Sequence, residues 1–145
     1  YAVVLTASPA ASEMNLAQKI ADLAEANMVN IAGQTNLKQL LAVVAGASLV
    51  IAPDSGTAHM AVTQNTPTIG LYAHSNPRRT GPYLYPALTV DAYHENLQRL
   101  FSDSAKTPKW GTRLKGAHLM QDISLSEVIT KVDDVLGALP LSSDL

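Results

Sequence analysis

Short apolar runs alternate with helix-period segments along the first half of the chain, joined by connections of only a few residues. Ala2-Val-Val-Leu-Thr6, Met28-Val-Asn-Ile31, Ser48-Leu-Val-Ile-Ala52 and Thr68-Ile-Gly-Leu-Tyr72 read as strands. Between the first two, Leu16, Ile20, Leu23 and Ala24 recur at helical spacing and predict a helix over about 9–26 with one buried face. Ser8 followed by Pro9 marks its start, Ser as the N-cap and Pro at the first helical position. Gly33-Gln-Thr35 reads as a turn, and Leu37, Leu40, Leu41 and Val44 form a second helical face. Gly56 to about Gln64 is a third helix, and Asn65-Thr-Pro67 another turn. A β-α-β-α-β-α-β order with short joins admits few folds. Crossover helices place successive strands in parallel, so the expectation is an α/β, Rossmann-like parallel sheet with helices on both faces.

The pattern weakens further on. Ala73 to Tyr85 is a loop rich in Pro, Gly, Asn and Arg, Leu88-Thr-Val90 a further strand, and 102–122 carries no readable period. Ser124-Leu-Ser-Glu127 is a capping box. It opens a helix whose apolar face is Leu125, Val128, Ile129, Val132, Val135, Leu136 and Leu139. With 145 residues, 47% of them apolar, the chain reads as one domain with a single core. It lacks an initiator Met and opens inside a strand, so a piece of a longer protein is expected.

Composition removes several function classes. A net charge of −2 lacks the basic footprint of phosphate-backbone binding, so no nucleic-acid partner is expected. The absence of cysteine excludes disulfide frameworks and Cys-based zinc sites. No apolar run reaches the roughly 18 to 20 residues of a transmembrane segment, and no signal peptide is visible. The four histidines, His59, His74, His94 and His118, stand far apart with no carboxylate at ligand spacing, so no metal is expected.

Open α/β sheets bind ligands at the carboxyl ends of their strands. After the third strand come Asp54, Ser55 and Gly56, where a helix presents free N–H groups and its positive dipole end. Gly56 leaves the backbone open to an anion, Asp54 suits sugar hydroxyls, and a neutral His59 in the first turn suits a phosphate or hydroxyl. Equally, Asp54 or Ser55 simply caps the helix and His59 is structural. A Ser55/His59/Asp54 hydrolase is set aside, because neighbours on one turn do not build a charge relay and no G-x-S-x-G elbow is present. After the fourth strand, Arg78 and Arg79 either clamp a diphosphate or acidic acceptor, or are solvated loop charges. Glu13, in the first turn of the first helix, either complements the dipole or holds ribose hydroxyls.

The run Asn30-Ile-Ala-Gly-Gln-Thr-Asn-Leu, then Ala-Pro-Asp-Ser-Gly-Thr-Ala-His-Met-Ala, then Thr-Pro-Thr-Ile-Gly-Leu-Tyr, resembles the C-terminal half of the ADP-heptose:lipopolysaccharide heptosyltransferases, glycosyltransferase family 9. That family carries a Gly-x-Thr-Ser-Leu turn, an Asp-Ser/Thr-Gly-x-x-His motif and a Thr/Arg-Pro strand in this order, and the resemblance covers about residues 2–90. It implies one half of a GT-B fold: residues 1–145 as a single C-terminal nucleotide-sugar-binding domain, without the N-terminal acceptor domain that supplies the catalytic base. It implies Asp54, Ser55, Gly56, His59, Thr35 and Glu13 as donor contacts, with a nucleotide sugar such as ADP-heptose as substrate and no cofactor or metal. A lipopolysaccharide or lipid-linked saccharide is the implied acceptor, and the implied location is cytoplasmic, peripheral at the inner membrane. Two departures stand out. Family members carry a further strand and helix before the point matching residue 1, with phosphate-binding Thr/Ser and Lys, and Thr35-Asn36-Leu37 replaces Thr-Ser-Leu. Taken alone the chain is expected to transfer nothing. The alternatives are a non-catalytic Rossmann-like nucleotide- or partner-binding module, and another GT-B activity such as a sugar epimerase.

Overall fold

The computed structural model describes residues 1–24, 28–102 and 107–138. They fall into two compact units, Tyr1–Val43 and Val44–Leu145. Among the described residues strand pairing is parallel, as expected from the sequence, in one two-stranded and one three-stranded sheet.

The first unit holds β1 (Val3–Leu5), α1 (Ala11–Leu23), β2 (Met28–Asn30) and most of α2 (Leu37–Ala45). Val3 pairs with Met28 and Leu5 with Asn30. Beyond the ladder, Ile31 N–H reaches Leu5 O at 2.9 Å and Gly33 N–H reaches Ala7 O at 3.0 Å. Helix α1 starts at Ala11, with Ala10 as an N-cap that makes no side-chain bond, so Ser8 does not cap it. The Ser8 hydroxyl instead accepts from Ala10 N–H at 3.4 Å, the short-range alternative that serine offers to capping. The helix ends at Leu23 and Ala24, before the expected Ala26, which lies outside the described residues.

Its expected buried face is also corrected. Only Ala17 is buried, while Leu16, Ile20 and Leu23 are 59%, 40% and 83% exposed. Two strands of three residues present too little sheet to cover a 13-residue helix. The departure at Thr35-Asn36-Leu37 has a simple physical outcome. Asn36 N–H donates to Gln39 Oε1 at 2.9 Å and Gln39 N–H to Asn36 Oδ1 at 3.0 Å. Asn36 thus caps α2 in a reciprocal box as a serine would.

In the second unit β3 (Val50–Pro53), β4 (Thr68–Tyr72) and β5 (Thr89–Asp91) lie side by side with β4 central. Val50 pairs with Thr68, Pro53 with Leu71, and Tyr72 with Asp91. Thr68, Ile69 and Tyr72 have no exposed surface, as a central parallel strand covered on both faces requires. Pro53, unable to donate to a ladder, ends the strand at one margin. Helix α3 (Gly56–Thr63) follows, and Asn65 adopts φ 58° in the expected turn before β4.

The predicted loop after β4 contains a short helix, α4 (Pro77–Thr80), capped by Asn76 Oδ1 accepting from Arg78 N–H at 3.0 Å. A helix that the sequence reading passed over, α5 (Tyr93–Phe101), follows β5. Tyr93, Leu97 and Phe101 share one side of it and pack with Ala73, Ala92, Leu114 and Leu119. Residues 107–116 are irregular and lead into a 3-10 turn, Ala117–Asp122. The last helix, α6 (Leu125–Ala138), is capped as expected, with Ser124 Oγ accepting from Glu127 N–H at 3.2 Å. Val128, Val132, Val135 and Leu136 are half-buried, but Leu125 and Ile129 are exposed, which narrows the expected face. Leu139 lies outside the described residues.

Candidate functional site

The carboxyl end of β3 breaks at Pro53 and turns through Asp54 into α3. Ser55 is the N-cap residue in an extended conformation (φ −150°, ψ 166°), yet its side chain makes no capping bond. Among the described residues the first N–H groups of α3 thus have no acceptor in the Ser55 side chain, and the reading of Ser55 as a simple cap fails. A Cβ on Gly56 would meet nothing within 4 Å, so open space lies over the start of the helix.

Asp54 is 16% exposed and stands between two basic side chains. His59 Nε2 lies 3.8 Å from Oδ1 and Arg113 Nη1 lies 3.9 Å from Oδ2. Both gaps exceed hydrogen-bond length, so the three groups converge without closing on one another. Asp54, Arg113, His74 and Ser75 line a cavity of about 50 Å³. A second cavity, about 270 Å³, runs from His59 past Arg78, Arg79, Thr80 and Tyr83. His59 thus neighbours both the acid and the two arginines that the sequence singled out. Among the described residues no group of three or more His, Asp or Glu is arranged to hold a metal ion.

Below the site, the buried Tyr72 donates its hydroxyl to Thr80 O at 2.8 Å, tying β4 to the end of α4. Burial, and then the Asp54 carboxylate, pushes the Tyr72 phenol up to about 12. Tyr93 is also pushed up, by burial first and Asp91 second. A phenol whose folded pKa is raised contributes stability that is intact below its ordinary value of about 10 and is lost as pH rises toward the folded value. In an alkaline ultraviolet titration, Tyr72 and Tyr93 should therefore ionise late, and the protein should lose stability as they do. Ionisation of Tyr72 and Tyr93 at the ordinary phenol value of about 10 would contradict this packing.

Thr35 and Glu13 belong to the first unit. Thr35 is half-buried in the turn between Gly33, at φ 71°, and the Asn36 cap. Glu13 is exposed, and its Oε2 accepts from Ser8 N–H at 2.9 Å. That backbone bond, followed by the Ser8 side chain, lowers its pKa below the ordinary carboxylate value. The sequence reading missed Arg113, which sits in the aperiodic stretch 102–122 with no local pattern to mark it.

The family model for glycosyltransferase family 9 (heptosyltransferase) matches residues 1–110. The chain belongs to glycosyltransferase family 9. It is 46% identical over 127 residues to lipopolysaccharide core heptosyltransferase OpsX of Haemophilus influenzae, covering 88% of this chain and 37% of that protein. It is 30% identical over 108 residues to lipopolysaccharide heptosyltransferase 2 of Escherichia coli, covering 74% of this chain and 28% of that one. The solved structure of E. coli ADP-heptose LPS heptosyltransferase II superposes with a TM-score of 0.62 at 26% identity, over 94% of this chain and 36% of that one. A family 9 glycosyltransferase from Veillonella parvula superposes at 0.67 with 23% identity, over 96% of this chain and 38% of that one, a likeness of fold. The family 9 chain thus has the parallel α/β architecture expected of one GT-B half, and it spans about a third of the length of these relatives. Among the described residues, no helix is long and apolar enough to cross a membrane.

Proposed function

We propose that this family 9 chain is the donor-binding part of an inverting glycosyltransferase. The enzyme moves a heptose or related sugar from a nucleotide sugar, such as ADP-heptose, to a lipopolysaccharide core acceptor at the cytoplasmic side of the inner membrane. The observation that carries the reading is the uncapped start of α3 beneath the open space at Gly56, with Asp54 and His59 beside it. N–H groups at a helix start are suited to phosphate oxygens, a carboxylate to sugar hydroxyls, and an exposed imidazole to either. In the reaction an acceptor hydroxyl attacks the anomeric carbon from the side opposite the diphosphate. The new C–O bond forms as the bond to the diphosphate breaks, and the hydroxyl proton passes to a base expected in an acceptor domain. Helix-end N–H groups aimed at the departing diphosphate stabilise its growing charge, with no metal required for that role. Arg78 and Arg79, at the larger cavity, are proposed contacts for a phosphate or acidic acceptor group. Ser55 is proposed as a further donor contact, and in the first unit the family resemblance assigns Glu13 to the nucleotide ribose and Thr35 as a donor contact.

Calorimetric titration of ADP, UDP and their sugars into the full-length protein tests this reading. Binding of ADP and its sugar is expected, tighter than that of the uridine pair. Gly56→Ala should leave the melting temperature unchanged or slightly raised, because the methyl meets no protein atom and alanine favours the helix. It should nevertheless weaken binding by roughly tenfold or more, the scale of a single displaced strong hydrogen bond. No binding of any nucleotide by the wild-type protein would refute the assignment.

A further inference from the structure

Arg113 lies on a segment whose backbone is bonded on both sides of it, at Trp110, Gly111, Thr112, Leu114 and Gly116. Asn76 Nδ2 donates to Trp110 O at 3.0 Å, and Arg79 Nη1 to Gly111 O at 3.4 Å. Tyr93 Oη donates to Thr112 O at 2.7 Å, and Leu114 N–H to His74 O at 2.7 Å. His74 Nε2 donates to Gly116 O at 2.9 Å, since a carbonyl only accepts. Leu114 adds a buried anchor in the core beneath the segment. These bonds hold the strap 110–116 across the loop that leaves β4. All of them use the strap's backbone and none uses the Arg113 side chain.

That side chain is therefore surplus to the fold. It is 70% exposed and stands 3.9 Å from Asp54, a separation at which an ion pair contributes little to stability. Yet the bonded backbone fixes the root of the side chain, and Arg113 lines the same cavity as Asp54, with Nη1 3.9 Å from Oδ2. His59 and Arg113 flank opposite oxygens of that carboxylate, each beyond hydrogen-bond reach. A ligand carrying hydroxyls for the acid and an anion for the guanidinium would satisfy all three.

We propose that Arg113 is a binding residue of the Asp54 site, its guanidinium taking a phosphate oxygen of a nucleoside diphosphate while Asp54 accepts from the attached sugar. The proposal rests on the donor-binding reading above and adds to it a cation that no sequence motif marks. Planar guanidinium donors match phosphate oxygens in pairs, and the strap's bonds fix the backbone from which the Arg113 side chain extends.

The test titrates ADP, and separately an ADP-sugar, into the full-length protein and three variants, Arg113→Ala, Arg113→Lys and Lys115→Ala. Lys115, exposed on the same strap, removes an equal charge from a neighbouring position. Arg113→Ala should weaken ADP binding by about ten- to a hundredfold, the scale of one charge-assisted hydrogen bond. Arg113→Lys should recover part of the loss, Lys115→Ala should bind as wild type, and all three should melt as wild type. Wild-type ADP affinity in Arg113→Ala would overturn the proposal while the donor-binding reading stands. An equal loss in Lys115→Ala would reduce the effect to net charge and overturn it too. A loss seen with the ADP-sugar but not with ADP would make Arg113 a positioning residue for Asp54, against a phosphate contact. If the wild-type protein binds neither ligand, this proposal and the functional reading fall together.

Discussion

Asp54→Ala is expected to weaken binding of a nucleotide sugar by about a hundredfold and to leave the protein folded. Two charge-assisted hydrogen bonds to sugar hydroxyls, at roughly 1.5 kcal/mol or more each, correspond to that factor. The folded state loses little in exchange. Among the described residues no hydrogen bond ends on the Asp54 carboxylate, and its neighbours at 3.8 and 3.9 Å are themselves well exposed to water. Removing the acid thus strands no buried charge, the circumstance that makes most ion-pair deletions costly. The variant also carries an internal control. Because Asp54 is the second cause of the raised Tyr72 phenol, that tyrosine should ionise at lower pH in Asp54→Ala than in wild type, though still late because it remains buried. Isothermal titration with an ADP-sugar and an alkaline absorbance titration measure the two effects. Unchanged affinity would remove Asp54 from the binding site.

Tyr72→Ala should have the largest effect on stability, a loss of about 3–5 kcal/mol in urea unfolding. The ring has no exposed surface, sits in the central strand, and lies over Gly70, where a Cβ would come within 2.6 Å of it. Deleting it leaves a cavity that the strands on either side cannot collapse to fill. Domains of this kind are stable by only about 5–15 kcal/mol, so the variant should lose a large share of its stability and unfold at a markedly lower urea concentration. Tyr72→Phe separates packing from polarity. It should cost only about 1 kcal/mol, the share of the hydrogen bond to Thr80 O at 2.8 Å. A phenylalanine variant as damaged as the alanine variant would show that the hydroxyl, and not the ring, dominates.

The candidate positions at the sheet edge are legible in the sequence. Asp54, Gly56 and His59 stand out because a strand that stops at a proline, followed at once by a helix, places its junction at the ligand edge of a parallel sheet. The structure adds that Ser55 leaves the helix start uncapped and that His59 reaches toward Asp54. Arg78 and Arg79 were readable as a loop pair, but the short helix that carries them was not, since four residues show no period.

The sequence by itself determined what depends on neighbours a few residues apart. Strand and helix alternation, the turn at Asn65 and the capping box at Ser124 were each set by local sterics and hydrogen bonding. Only the tertiary structure decided what depends on distant partners. Leu16, Ile20 and Leu23 have the spacing of a buried face, yet burial needs a surface opposite them, and two three-residue strands do not supply one. Arg113 comes to Asp54 from the far side of β4, α4, β5 and α5, and its strap is held through backbone atoms that every residue possesses. Backbone acceptors carry no side-chain signature, so their partners are chosen by the folded topology alone.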